Sequence, residues 1–209
     1  MLIKFQEIVK KHNLNINGIL HVGAHHAEEL PDYLACGINK IIWVEAEHKT
    51  FEVLKMILKP HTEQKAYSFA ASDEDGIEVD FHIASNGESS SILEMDTHLK
   101  EHPHITIVDK KKVFTKKIDT FFQEENLESK NYNFLNLDIQ GAELLALKGM
   151  KDSLKNIDYI YSEVNIKELY KGCAKLSEID EFLAPFGFSR VELEMTQHGW
   201  GDAFYIKKK

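Results

Sequence analysis

Residues 134–149 read FLNLDIQGAELLALKG. The stretch opens with apolar residues, closes on the carboxylate of Asp138 and turns at Gly141. It then runs into a short helix bearing Leu144, Leu145 and Leu147, which Gly149 ends. A buried strand, a glycine turn and a buried helix make one unit of an open α/β sheet, in which ligands bind just beyond the carboxyl ends of the strands. Asp138 stands at such an end. Two roles fit it equally: a carboxylate facing a ligand, or a cap for the helix that follows.

Residues 19–29, ILHVGAHHAEE, form a second such unit, and the apolar run 41–44 (IIWV) leads straight into Glu45. An acidic residue that closes the second strand, about 20 residues beyond a glycine turn, is suited to a ribose diol, because its two oxygens match two adjacent hydroxyls. The glycine pattern is nevertheless wrong for a dinucleotide. After Gly23, the positions where G-x-G-x-x-G needs its other glycines hold His25 and Glu28. A pyrophosphate could not approach that backbone, and Glu28 would repel it. The pocket reads as one for a nucleoside without phosphates, which argues against a nicotinamide-dependent oxidoreductase on the same sheet.

These residues resemble the FkbM-type S-adenosylmethionine-dependent methyltransferases, whose signature has the form K-I-D-V-E-G-A-E-x-x-x-L-K-G. Here it stands as Asn136-Leu137-Asp138-Ile139-Gln140-Gly141-Ala142-Glu143, then Leu147-Lys148-Gly149. The similarity extends through Ala70-Ala71-Ser72-Asp73, Ser89-Ser90-Ser91, Glu163-Val164-Asn165 and Gly199-Trp200-Gly201-Asp202, and covers roughly residues 17 to 206. His21 replaces a common Asp, Gln140 a Glu and Asn136 a Lys. The resemblance implies a doubly wound, mostly parallel Rossmann-like sheet with an antiparallel C-terminal hairpin, and S-adenosylmethionine as cofactor. It places His21, Gly23 and Ala24 near the methionine part, Glu45 on the ribose, and Ala71 and Ser72 near the adenine. Glu28 would attract the ammonium or sulfonium, or else serve only as a carboxylate at a helix N-terminus. The implied reaction is O-methylation of a hydroxyl, on a sugar or glycan as some members do, with a polyketide or other small molecule as the alternative acceptor. A catalytically silent binding protein stays open because of His21 and Gln140.

Methyl transfer to a hydroxyl needs the proton removed, by a general base or through a divalent cation that acidifies the hydroxyl. Asp138 at one strand end, with Glu163 and Asn165 at the next, offers three oxygen ligands suited to Mg²⁺. The alternative is that Asp138 and Glu163 only shape the pocket. His198, in the loop 197–202, is the first candidate base, or else a surface histidine on a hairpin tip. His98, His102 and His104 lack a fourth zinc ligand at convincing spacing and read as a solvated or substrate-facing loop.

At 209 residues, 43% hydrophobic and 28% charged, the chain fits one domain with a sizeable core, with residues 1–16 as a helix packed on it. A net charge of −9 argues against nucleic-acid binding, which needs a basic face. The lysine runs 110–112, 116–117 and 207–209 read as solvated. Two cysteines, Cys36 and Cys173, make no disulfide framework, and no apolar run is long enough to span a membrane. A cytoplasmic protein is expected.

Along the chain, helices are expected over 27–36 (with Pro31 delaying or bending it), 50–58, 120–125 capped by Asp119, and from a capping box at 177–180 to Gly187. Strands are expected at 19–22, 41–44, 66–70, 77–83 by alternation, 113–118, 134–138, 159–164, 188–195 and 203–206. The polar stretch 84–103 is long for a passive connection and reads as a lid or substrate loop.

Overall fold

The computed structural model describes residues 1–208, apart from the side chain of Lys100; Lys209 of the terminal lysine run lies outside the described residues. Strands β1 (Ile19–Val22), β2 (Ile41–Val44) and β3 (Lys65–Tyr67) alternate with helices α1 (Phe5–Lys11), α2 (Leu30–Ala35) and α3 (His48–Leu58). A small side sheet follows, made of β4 (Ala70–Ala71), β5 (Glu78–Ala84) and β6 (Ile107–Lys116), with α4 (His98–Glu101) in the connection before β6. The chain then returns through α5 (Ile118–Glu124), β7 (Phe134–Leu137), α6 (Glu143–Lys148), β8 (Tyr159–Asn165), α7 (Leu176–Leu183), β9 (Phe188–Met195) and β10 (Trp200–Lys207). The main sheet has seven strands in the order β3-β2-β1-β7-β8-β10-β9. Its first five are parallel, and β10 runs antiparallel to both β8 and β9. This is the doubly wound sheet with a C-terminal antiparallel hairpin that the sequence implies.

β1, β2 and β7 are buried along their whole length, as parallel strands covered on both faces must be. Successive side chains serve opposite faces. Leu20, Val22, Ile42, Leu135 and Leu137 join one core, while Ile19, Ile41, Trp43 and Phe134 join the other. Helix α1 belongs to the second, with the Phe5 ring 4.7 Å from Tyr33 and 5.3 Å from Phe134. Strand order reverses between β1 and β7, which opens a crevice at their carboxyl ends. Gly23 and Asp138 meet there: a Cβ on Gly23, at φ +90°, would lie 1.7 Å from the Asp138 carbonyl oxygen. Only glycine allows this approach.

Several elements differ from expectation. Helix α2 starts at Leu30, with Pro31 in its first turn, where a missing N–H costs nothing. The strand expected at 66–70 is two, since β3 stays in the main sheet while β4 pairs with β6. Strand β6 is ten residues long and carries the lysine run 110–112 on its exposed edge, with Lys111 and Lys112 paired to Asp109 and Asp80. Asp119 does not cap α5. It accepts from the backbone of Asp152 and Ser153 and from the Ser153 hydroxyl, tying the β8 side of the fold to α5. The N-cap of α7 is Lys175, whose N–H donates to Glu178 two residues before the expected start. β10 begins at Trp200, three residues early, because Trp200 and Gly201 pair with Asn165 and Val164.

Candidate functional site

Two adjoining cavities open at the carboxyl ends of the parallel strands. The first, about 700 Å³, lies over β1 and β2 and is walled by Glu45, Thr50, Phe69, Ala71, Phe81 and Ile83 among others. The second, about 1150 Å³, is walled by carboxylates, by His98 and His102, and by Tyr170 and Trp200. Gly23, His25, Glu88, Asp138 and Gln140 stand in both walls. Whatever passes between the cavities passes these residues.

Glu45 is 7% exposed, and both its oxygens are already oriented: one accepts from the His25 N–H at 2.9 Å, the other from the Glu47 N–H at 2.7 Å. Each keeps a lone pair for a ligand hydroxyl. Burial raises its carboxyl pKa, and those two backbone donors oppose the rise. The loop that supplies the donor is unusual, because His25 (φ +40°) and Ala27 (φ +56°) both adopt the left-handed region. Such strain clusters where a site over-determines the backbone. Glu28, in the second cavity's wall, accepts from the His25 ring at 2.7 Å and from the His26 N–H at 3.1 Å. Hydrogen bonding to that carboxylate raises His25.

Asp138 faces the cavities and caps nothing; Glu143 serves α6 instead, accepting from the Ile139 and Gly141 N–H groups. The Gln140 amide nitrogen bridges the two key carboxylates, donating to Asp138 at 2.7 Å and to Glu163 at 2.6 Å. Its carbonyl accepts from the Tyr170 hydroxyl at 2.7 Å. Gln140 is held at φ +55°, the left-handed region, to make this bridge. Burial first, and then the neighbouring charge of Asp138, pushes Glu163 well above the usual carboxylate range, so it holds a proton more tightly than an ordinary carboxyl.

The remaining expected residues fall in different places. Ala71 is in the first cavity's wall, but Ser72 is not: its N–H donates to Lys116 and its carbonyl packs against Gly149. Ala24 is buried outside both walls. His198 stands behind the second wall, bonded to Glu101 at 3.2 Å and packed at a tilt against His102, with ring centroids 4.6 Å apart. The histidines that do reach the cavity are His25, His98 and His102. Asn165 is fully buried, lies outside both walls, and neither of its side-chain polar atoms has a partner. An oxygen triad of Asp138, Glu163 and Asn165 is therefore not assembled. An amide N–H occupies the space between the first two, and the third is packed away. The residues present do not fit the Mg²⁺ arrangement. Asp202, Glu29 and Glu88 escaped notice as wall residues because each comes from a different loop or strand, with no spacing to link it to Asp138.

His21 lies beneath the site, not in its wall. It is 1% exposed, stacks on Trp43 at 4.8 Å, and its Nδ1 is 3.0 Å from the Tyr33 hydroxyl. Burial pushes its imidazole down to about 4, against the opposing pull of Asp138 and Glu28. An unfolded histidine protonates near 6.5, so as pH falls the unfolded chain takes up this proton first. Stability is full above that value and drains away as pH falls towards 4, by about 3 kcal/mol from this group alone. Urea unfolding between pH 7 and pH 4 should show the decline, and His21→Gln should flatten it. A variant with an unchanged slope would remove His21 as its source.

A model of the methyltransferase FkbM domain matches residues 21–190. The chain belongs to the FkbM methyltransferase domain family. Among curated proteins, the chain is 32% identical to the 2-O-methyltransferase NoeI of Sinorhizobium fredii over 135 residues, which is 61% of this chain and 54% of NoeI. The chain thus spans about half the length of that relative. Of solved structures, Sp1610 of Streptococcus pneumoniae in complex with S-adenosyl-L-methionine matches all of the chain and 75% of its own, with TM-score 0.53 and 13% identity. ChlM, the magnesium protoporphyrin IX methyltransferase of Synechocystis PCC 6803 with bound SAM, matches 96% of this chain and 74% of its own, with TM-score 0.52 and 11% identity. At those identities the likeness is one of fold. Among the described residues no helix is long and apolar enough to cross a membrane.

Proposed function

We propose that this chain is an O-methyltransferase that moves the methyl group of S-adenosylmethionine to a hydroxyl of a sugar or glycan. The observation that carries the reading is the junction of two dissimilar cavities at Gly23, Asp138 and Gln140. The first has a diol-binding carboxylate beside an apolar slot, which suits an adenosine. The second is rich in hydrogen-bonding groups around Trp200 and Tyr170, which suits a polyol more than an apolar polyketide. The name of NoeI, a 2-O-methyltransferase, supports an oxygen acceptor. We read the chain as one domain with α1 packed on it, working in a reducing compartment where both cysteines stay free.

The residues divide the work. Glu45 grips the ribose, and Phe69, Ala71 and Phe81 flank the base. Gly23 lets the methionine end lie against the β1 turn without a side chain in the way. The cofactor supplies a methyl on a sulfonium, a cationic leaving group that departs as a neutral thioether. Asp138, at the junction, takes the acceptor's proton as the C–O bond forms and the C–S bond breaks. Gln140 holds that carboxylate in place, and Glu163 beside it, raised by burial, holds a proton more tightly than an ordinary carboxyl. No metal step is needed, and the residues do not fit one.

Incubation with S-adenosylmethionine and a panel of mono- and oligosaccharides, followed by mass spectrometry, tests the reading. Formation of S-adenosylhomocysteine and of a singly methylated sugar, unchanged by EDTA, is expected. Binding of S-adenosylhomocysteine with no methylation across sugars and small-molecule alcohols would favour a silent binding protein instead.

A further inference from the structure

The second cavity is acidic to an unusual degree. Glu28, Glu29, Glu88, Asp138, Glu163 and Asp202 all stand in its wall, and no lysine or arginine does among the described side chains. Three of the six lie at least four-fifths out of water. Glu163 is 6% exposed and Asp202 4%, and the Glu29 side chain 18%. Burial and the neighbouring carboxylates raise all three above their usual range. A second, independent feature of the same wall points to a polar occupant. His98 is 5% exposed and its Nδ1 has no partner. Burial pushes its imidazole down to about 4, so it meets a ligand as a neutral group and adds no positive charge.

We propose that this wall selects the acceptor by charge: it admits sugars that are neutral or carry an ammonium group, and it rejects those bearing a carboxylate, phosphate or sulfate. This rests on the methyl-transfer reading above and narrows its substrate class. An anion entering the cavity would lose its hydration shell and face six carboxyl groups, with only the Met1 amino group and the His25 ring, itself held by Glu28, as cationic partners. A hydroxyl, by contrast, finds acceptors on every side, and an ammonium group is drawn in. The cofactor's own cationic groups offset only part of the wall's charge, because Glu28, Glu29 and Asp202 stand in the second cavity's wall alone. The same argument excludes nucleic acid, whose phosphates would have to line this rim.

The test is calorimetric titration of the protein already saturated with S-adenosylhomocysteine, using four matched sugars: methyl glucoside, glucosamine, glucuronate and glucose 6-phosphate. Glucosamine should bind most tightly, and the two anions about tenfold or more weaker than methyl glucoside. Glu29→Gln combined with Glu88→Gln should shrink that discrimination, with a thermal melt to show that both amides, close in shape to the native carboxylates, keep the fold. Either anion binding within about threefold of methyl glucoside would overturn the proposal, as would no sugar binding while S-adenosylhomocysteine binds. Failure of S-adenosylhomocysteine itself to bind would instead overturn the methyl-transfer reading, and the proposal with it.

Discussion

Asp138→Asn should leave the protein folded and able to bind S-adenosylhomocysteine, yet lower kcat by about a thousandfold, within the 10²–10⁴ range of a lost general base. The side chain is isosteric, and an asparagine can turn its carbonyl oxygen to the Gln140 amide, which now donates to Asp138 at 2.7 Å. The bridge to Glu163 therefore survives, and geometry is not the variable. What disappears is the carboxylate that Gln140 holds at the junction of the two cavities. The neighbour cannot take over easily, since burial and charge favour the protonated form of Glu163. Glu163→Gln should accordingly cost much less than Asp138→Asn, because it replaces a carboxyl whose neutral form burial favours with a neutral amide of the same shape. The two rates, with thermal melts to confirm folding, decide the assignment. Equal losses would make the pair a structural unit, and a near-normal rate in Asp138→Asn would put the base elsewhere, with His98 and His102 next in the wall.

The sheet was legible because its central strands are short continuous apolar runs, each ended by a glycine turn or an acid. IIWV–Glu45 and FLNL–Asp138 state both the strand and the ligand-facing end in five residues. The β3/β4 split was not legible, since residues 66–70 look like one strand and only the pairing of Ala70 with Thr115 separates them. Local charge patterns misled in the same way at Asp119, placed like an N-cap by sequence but bonded across space to Ser153. In the site, contacts made by a strand end were readable, as for Gly23, Glu45 and Asp138, because topology fixes where a strand end lies. Contacts made across the cavity were not. The role of Gln140 depends on the spacing between two carboxylates on neighbouring strands, and that of His98 on how the stretch 84–103 folds over the crevice. Reading Asn165 as a ligand failed for a related reason. Alternation places it on the same strand face as Glu163, but β10 and Trp200 close over that end of β8.

Glu45→Ala should weaken S-adenosylhomocysteine binding about a hundredfold and leave thermal stability nearly unchanged. Hydrogen bonds to a charged group are each worth about 1.5–3 kcal/mol. Two ribose hydroxyls on one carboxylate would exceed the estimate if nothing replaced them, but water enters the space alanine leaves, so a net loss near 3 kcal/mol is the reasonable figure. Part of that loss is indirect. Glu45 fixes the His25 N–H at 2.9 Å and the Glu47 N–H at 2.7 Å, and so keeps the strained turn at His25 in the form that lines both cavities. Glu45→Gln separates the two contributions. The amide still accepts one backbone bond through its oxygen, but its NH₂ faces the other donor, so it should fall between alanine and the native residue. Calorimetry on the three proteins reads the order directly. If Glu45→Ala binds as well as the native protein, the ribose does not lie on Glu45, and the first cavity would have to hold the cofactor in some other orientation.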